Sequence, residues 1–197
     1  MRIIAGKFRS RVLAAPAGMA TRPTSDRLRE TLMNVLAPRM GGAAFLDLYA
    51  GSGAVGIEAL SRGATRVVFV ERAPAALKAL RGNLERLGVR EGFQIHDRSV
   101  RAFLRSEGAA GPRPERYEVV FLDPPYDADD EYAATLGALG GTAAGLLAGG
   151  AVVIAEHRKK CRLEASYGAL ARTRLLEQGD AALSFYSVSE QVDGDRD

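Results

Sequence analysis

The chain has 197 residues, of which 47% are hydrophobic and 26% charged, as is typical of one globular domain. This composition excludes a disordered chain, and the apolar runs are too short to span a bilayer or to form a signal peptide, so we expect a cytoplasmic protein without membrane contact. The net charge is +3, but residues 1–39 carry +6 and the remainder −3, which suggests that the N-terminal segment faces a polyanion.

The first 40 residues are predicted to form an extension that contacts this polyanion. Residues 2–5 and 10–14 have the pattern of two short strands in a β-hairpin. Lys7, Arg9 and Arg11 alternate with Phe8, Ser10 and Val12, so their side chains would share one face of an extended chain. The candidate phosphate-binding residues are Lys7, Arg9, Arg11, Arg22 and Arg27.

A helix follows this hairpin, and strands then alternate with helices. Thr24 or Ser25 is predicted to cap the first helix, and Pro38 is predicted to end it. Strands are predicted at residues 43–48, 66–71, 93–96, 117–122, 151–156, 171–176 and 182–188, and later helices at 54–61, 74–87, 100–105 and 131–147. The alternation predicts a catalytic domain over residues 41–189 with a parallel, doubly wound sheet and an antiparallel hairpin at one edge, followed by a polar tail at 190–197.

A glycine-rich loop follows the strand predicted at 43–48. Residues 47–56, DLYAGSGAVG, contain a complete G-x-G-x-x-G between a strand and a helix, the context in which this spacing binds nucleotide-type cofactors. Gly51 and Gly53 would let the backbone approach a ligand, and Gly56 would let the helix pack close to the sheet. The glycine spacing alone fits either NAD or S-adenosylmethionine.

Acidic residues near this loop favour S-adenosylmethionine. Asp47 would repel the pyrophosphate of NAD but suits the ammonium group of a methionine moiety. Glu71 ends the next strand, where its carboxylate could accept hydrogen bonds from both ribose hydroxyls. Asp97 and Ser99 are both candidates to bind the adenine amine, and Asp97 could equally cap the following helix. The predicted cofactor-binding residues are Asp47, Tyr49, Gly51, Ser52, Gly53, Glu71, Arg72, Asp97 and Ser99.

The segment Asp123-Pro124-Pro125-Tyr126 directly follows the strand predicted at 117–122. Each proline lacks an N–H, so the loop offers the Asp123 carboxylate and main-chain carbonyls as acceptors suited to an NH2 group. Tyr126 adds a flat ring on which a nucleobase could stack. Asp123, Pro124 and Tyr126 are therefore the predicted catalytic residues of an enzyme that acts on a nucleobase amine.

Four segments together resemble the bacterial 16S rRNA guanine-2-amino methyltransferases of the RsmD type. They are residues 2–6 (RIIAG), 22–30 (RPTSDRLRE), 47–53 (DLYAGSG) and 123–126 (DPPY). The resemblance implies a Rossmann-like class I methyltransferase fold. Its seven-stranded, mostly parallel sheet would contain one antiparallel strand and carry helices on both faces, with the N-terminal hairpin and helix added.

The resemblance also implies a reaction. The donor would be S-adenosylmethionine, the product S-adenosylhomocysteine, and the acceptor one guanine of 16S rRNA within a small-subunit or assembly particle. The hypothesis is in-line methyl transfer to the 2-amino nitrogen of a flipped guanine whose amine is held by Asp123 and the Pro124 carbonyl. We expect a monomer. No metal is expected, since the chain has one cysteine, Cys161, and only two histidines.

Three alternatives remain from the sequence. A DNA amino methyltransferase shares the glycine loop and the Asp-Pro-Pro-Tyr segment, but usually needs a target-recognition domain for which little of this chain remains. A noncatalytic RNA-binding protein could retain the cofactor fold. A dehydrogenase fits the glycine loop alone, and binding of NADH in place of S-adenosylmethionine would favour it.

Overall fold

The computed structural model describes residues 1–16, 26–108, 115–125 and 129–189. The helices of these ranges are α1 (Asp26–Met40), α2 (Ala54–Ser61), α3 (Pro74–Arg86), α4 (Val100–Gly108) and α5 (Asp129–Leu139), with a 3-10 helix at Ala144–Leu146. The strands are β1 (Ala44–Leu48), β2 (Arg66–Glu71), β3 (Phe93–Asp97), β4 (Tyr117–Leu122), β5 (Leu147–Arg158), β6 (Ser166–Tyr167), β7 (Leu170–Gln178) and β8 (Ala181–Val188).

These strands form one sheet in the order β3-β2-β1-β4-β5-β8-β7-β6. Strands β1 to β5 are mutually parallel, whereas β8 is antiparallel to β5, β7 to β8 and β6 to β7. The α/β fold class is confirmed. The predicted count of seven strands, one of them antiparallel, is wrong for the described residues, because β6 adds an eighth strand that runs with β8 against the parallel group. Strand β6 has only two residues, too few for a hydrophobic pattern.

Helices cover both faces of the parallel part of the sheet, which explains why β1, β2 and β4 are almost continuously apolar. Phe45, Phe69 and Phe121 point to the face packed against α1, α2 and α3. Leu46 and Leu48 point to the opposite face, which packs against α4 and α5. Successive strand residues face opposite sides. The helices do not cover the carboxyl edge of the parallel strands, and the loops that follow these strands lie there.

The N-terminal segment is less regular than the predicted hairpin. Arg2 and Val12 form one antiparallel bridge, and residues 5–10 make bends and turns instead of two strands. Because this stretch is not extended, the period-of-two argument for a shared face of Lys7, Arg9 and Arg11 fails, although all three are exposed. Ile3 and Leu13 are nevertheless buried in the same core as α1, so the segment packs on the domain.

Several predicted boundaries also differ from the observed ones. Helix α1 continues past Pro38 to Met40, since a proline in the last turn removes one hydrogen bond without preventing two further residues. Helix α5 ends at Leu139 instead of residue 147, and β5 begins at Leu147 instead of residue 151. Helix α4 extends to Gly108.

Some sequence predictions fall on residues outside the described ranges. These are the cap at Thr24 or Ser25, the phosphate contact of Arg22, the stacking ring of Tyr126 and the tail at 190–197. In the ranges that are described, the helices are all too short or too polar to cross a membrane.

Candidate active site

The glycine loop and the Asp-Pro-Pro segment leave the same edge of the sheet. Strands β1 and β4 are parallel neighbours, with Leu48 opposite Leu122, so the residues that follow both strands emerge side by side. Strand β5 continues this edge, because Leu122 is opposite Ala155 and the next residues are Asp123 and Glu156. Carboxyl ends of parallel strands are where such sheets bind ligands.

The loop after β1 is a tight turn with an open side. Tyr49, Gly51 and Gly53 all have positive φ, at 61°, 57° and 80°. A Cβ on Gly51 would meet no atom within 4 Å, so space beside this residue is free. A Cβ on Gly53 would meet the Leu80 side chain of α3 instead. Gly51 therefore faces the space that a ligand could use, whereas Gly53 allows close packing.

Glu71 holds the glycine loop through its carboxylate. Its Oε2 accepts a hydrogen bond from the N–H of Gly51 at 2.8 Å, and its Oε1 accepts two from the N–H groups of Arg72 and Ala73, each at 2.7 Å. These bonds use three of the four lone-pair sites of the carboxylate, so only Oε2 retains one. The carboxylate of Glu71 thus lies beside the open face of Gly51, where sequence reasoning predicts a ribose.

Asp47 lies beneath the loop. Its side chain is 1% exposed, and its Oδ2 accepts a hydrogen bond from the N–H of Gly56 at 2.9 Å. Burial raises the pKa of Asp47 to about 7, the Gly56 hydrogen bond opposes this shift, and the charge of Glu71 adds to it. The structure therefore gives Asp47 a partner in the first turn of α2 and does not bring its carboxylate to the open side of the loop.

Tyr49 connects the glycine loop to α5. Its hydroxyl donates to Glu131 Oε2 at 2.7 Å and lies 2.7 Å from Thr135 Oγ1. Burial is the main cause that raises the pKa of Tyr49 above its ordinary value. Because α5 begins three residues after Tyr126, this contact ties the two predicted ligand-binding loops together.

The structure distinguishes the two candidates that follow β3. Ser99 Oγ accepts a hydrogen bond from the N–H of Ala102 at 3.2 Å and caps α4, so the cap is not Asp97. Asp97 is exposed, lies opposite Glu71 in the β2–β3 pairing, and is 3.8 Å from Arg81. Asp97 is the more exposed of the two side chains.

Asp123 faces a pocket at the end of β4. Burial raises the pKa of its carboxyl well above the usual range, and the neighbouring carboxylates of Glu156 and Asp47 raise it further. The pocket is lined by Asp123, Pro124, Tyr132, Glu156, His157, Arg158, Cys161 and Ala181. Sequence reasoning missed the contributions of α5, β5 and β8, because they depend on strand order and not on a local motif.

The pocket wall on β5 is held by buried hydrogen bonds. Tyr132 donates its hydroxyl proton to the carbonyl of Glu156 at 2.8 Å. His157 Nε2 lies 2.9 Å from Ser184 Oγ, and its Nδ1 lies 2.9 Å from the carbonyl oxygen of Arg158. Burial lowers the pKa of His157. These contacts fix the residues beside Asp123 and identify His157 as part of the wall.

The predicted N-terminal cations lie away from this pocket. The N–H of Lys7 donates to the carbonyl of Ser61 at 2.7 Å, and Glu58 accepts from the N–H groups of Ile4 and Ala5. Ser61 is the last residue of α2, which runs about 12 Å from the glycine loop toward the opposite sheet edge. The tip carrying Lys7 and Arg9 is therefore near the edge opposite Asp123.

Asn83 joins the N-terminal segment to the glycine loop. This fully buried side chain accepts from the N–H of Ala14 at 2.8 Å and donates to the carbonyls of Ala14 and Ser52 at 3.1 and 2.9 Å. We expect Asn83→Ala to lower the free energy of unfolding by about 1–3 kcal/mol, because it leaves buried backbone groups unpaired. Urea unfolding measures this loss. Asn34→Ala, at an exposed position of α1, is the control, and equal losses in both variants would contradict the linking role.

Strand order, the glycine loop after β1 and the acid at the end of β2 define a class I methyltransferase fold. The chain belongs to the family described as Conserved hypothetical protein 95, whose model matches residues 1–187. The resemblance to RsmD-type rRNA methyltransferases is thereby confirmed.

Individual relatives agree with this assignment. "Putative rRNA methyltransferase YlbH" of Bacillus subtilis (strain 168) is 34% identical over 94% of this chain and 98% of its own length. "Ribosomal RNA small subunit methyltransferase D" of Escherichia coli (strain K12) is 40% identical over 64% of this chain and 60% of its own length. The solved structure of "Putative methyltransferase yhhF from Escherichia coli" has a TM-score of 0.81 and 31% identity, covering 97% of this chain and 99% of that one.

Proposed function

We propose that this protein transfers a methyl group from S-adenosylmethionine to the exocyclic 2-amino group of a guanine in 16S rRNA. The observation that carries the proposal is the adjacency of β1 and β4, which brings Gly51 and Asp123 to one edge of the sheet. The names of the relatives support ribosomal RNA of the small subunit as the acceptor. We further propose that the enzyme acts as a cytoplasmic monomer on a small-subunit or assembly particle.

The residues beside the glycine loop fit the donor. Gly51 has free space at its open side, Glu71 Oε2 offers its remaining lone pair to a ribose hydroxyl beside it, and Asp97 offers an exposed carboxylate to an adenine amine. When bound, S-adenosylmethionine supplies an activated methyl group on a sulfonium sulfur. Ser99 is committed to capping α4 and Asp47 to the N–H of Gly56, so we assign them supporting roles.

Asp123 and Pro124 fit the acceptor. The lone pair of an exocyclic guanine nitrogen is delocalised into the ring. Hydrogen bonds from the NH2 group to the Asp123 carboxylate and the Pro124 carbonyl would favour a pyramidal nitrogen and orient its lone pair, so positioning is the main catalytic task. The methylated nitrogen is a strong acid and releases its proton to Asp123 or to water. Tyr126 is proposed to stack on the flipped base.

The N-terminal cations are proposed to contact RNA at a distance from the reacting base. Lys7, Arg9, Arg11 and Arg27 are exposed, and the tip of this segment lies near the sheet edge opposite the pocket. A folded rRNA substrate is large enough to reach both edges. We therefore propose residues 1–40 as a second contact surface that adds affinity through phosphates.

The test is a methyl-transfer assay with radiolabelled S-adenosylmethionine. Small-subunit particles, purified 16S rRNA and double-stranded DNA are compared as acceptors, and the RNA comes from cells that lack the corresponding modification. We expect label in N2-methylguanosine after nucleoside digestion of the particle. Label in another nucleoside, label in DNA alone, or no transfer to any acceptor would refute the proposed function.

A further inference from the structure

A group of basic residues lies at the sheet edge that carries Asp123, and none of them has a role in the proposed methyl transfer. We call it the basic rim: Arg158, Lys159, Lys160 and Arg162, at the end of β5 and in the connection toward β6. Strand β5 is parallel to β4, so its end lies at the same edge as Asp123. Arg158 and Cys161 line the Asp123 pocket directly. Lys160 and Arg162 do not line the pocket, but they immediately precede and follow Cys161, so the rim borders the pocket at what we call its mouth.

The backbone of the rim is held in place on both sides. The N–H of Cys161 donates to the carbonyl of Arg158 at 2.9 Å, and the N–H of Lys159 donates to the carbonyl of Asp180 at 2.8 Å. Beyond the rim, Arg172 donates to the carbonyl of Leu163 at 3.1 Å and Tyr186 to that of Glu164 at 2.9 Å. A backbone fixed in this way loses little conformational entropy of its own when the surface binds a ligand.

The charges of the rim are unequally neutralised. Lys159 forms an ion pair with Glu177 at 2.7 Å. Lys160 and Arg162 are exposed, and neither takes part in an ion pair among the residues that the structure describes. One ammonium group and one guanidinium group are thus available to an anion at the pocket mouth.

The pocket itself creates the need for such cations. Asp123 and Glu156 are acidic residues at its wall, and Asp47 lies behind them close enough to raise the pKa of Asp123. A guanine that enters this pocket carries a phosphate on each side, and none of these acids can attract a phosphate. Lys7 and Arg9 lie near the opposite sheet edge and cannot bind phosphates at the mouth.

We propose that Lys160 and Arg162 bind the phosphates that flank the target nucleotide of single-stranded RNA, and so hold its backbone while the base occupies the Asp123 pocket. This inference rests on the proposed function and adds a phosphate-binding surface to the same site. Lysine and arginine differ in geometry, and Arg162 can form two parallel hydrogen bonds to one phosphate. The rim recognises charge and spacing and is indifferent to base identity.

The test compares Lys160→Ala/Arg162→Ala with the control Arg90→Ala/Arg105→Ala. The control removes two exposed cations near the ends of α3 and α4, away from the pocket. Binding of a 16S rRNA transcript is measured by filter retention from low to high salt, and methylation kinetics and S-adenosylmethionine titration are measured in parallel. We expect the rim variant to lower the slope of log affinity against log salt by roughly 1.4–1.8 and to raise KM for RNA about tenfold.

The expected pattern also keeps kcat at saturating RNA and cofactor affinity close to those of the unmodified enzyme. A slope equal to that of the control, or a loss of kcat without a change in KM, would overturn the role of the rim. These outcomes are separate from a failure of the proposed function. If the proposed function is wrong, the unmodified enzyme itself places no methyl group on guanine, whatever the salt dependence of its RNA binding.

Discussion

Asp123→Ala is expected to lower the single-turnover rate of guanine methylation by roughly a hundredfold to ten-thousandfold. The carboxyl group of Asp123 is the acceptor proposed for the NH2 group, and without it the amine keeps only the Pro124 carbonyl. Asp123 does not hold the proposed donor site, which is formed by Gly51, Glu71 and Asp97. We therefore expect the affinity for S-adenosylmethionine, measured by isothermal titration, to stay largely unchanged.

A matched control separates this effect from a general loss of negative charge. Asp130→Ala removes an exposed acid at the start of α5 and is expected to retain full turnover. Asp123→Asn keeps an amide oxygen that can still accept from the substrate amine but removes the carboxyl group, so it should retain more turnover than the alanine variant. Turnover of Asp123→Ala within a factor of two of the unmodified enzyme would contradict the assigned role.

The central elements were predictable because their signals are local. Strands β2 and β4 and helix α2 have the bounds expected from sequence, since each combines a short apolar run with glycine or proline at its ends. The glycine loop and the Asp-Pro-Pro segment were found for the same reason. Their meeting at one edge followed from strand-helix alternation, which predicts a parallel sheet.

The errors occur where distant contacts override local pattern. Helix α5 was predicted to reach residue 147 through an alanine-rich stretch, but Gly140 lies against the backbone of Tyr167 in β6, leaving no room there for a Cβ. Nothing in residues 131–147 reveals that neighbour. The N-terminal segment has alternating cations, yet its hydrogen bonds to Glu58 and Ser61 favour a turn.

The site predicted from the sequence was incomplete for a related reason. Glu156 and Tyr132 reach the Asp123 pocket only through the β4–β5 register and the packing of α5. The basic rim was visible in sequence as four cations within residues 158–162, but its position at the pocket mouth required the order of the strands. Asp47 has a contact that the motif did not predict, the hydrogen bond from the N–H of Gly56, while its predicted contact with a ligand stays a prediction.

Asp47 is expected to make the ligand-free protein less stable as the pH rises from about 4 to about 7. Its pKa is about 7 in the folded protein and near 3.9 in the unfolded chain. In this window the folded state keeps a proton that the unfolded state releases, so the free energy of unfolding falls with pH. The full shift corresponds to at most about 4 kcal/mol. Urea unfolding at several pH values between 4 and 8 measures the slope.

Asp47→Asn isolates this contribution from that of the other carboxyl groups. The amide oxygen of asparagine can still accept the hydrogen bond from the N–H of Gly56, but the side chain carries no charge when buried. The variant should therefore gain stability relative to the unmodified protein as the pH increases, with most of the gain above pH 5. Asp97→Asn, at an exposed carboxylate on the same edge, serves as the control. If the stability difference between Asp47→Asn and the unmodified protein stays constant from pH 4 to 8, the buried carboxyl of Asp47 does not titrate in this range.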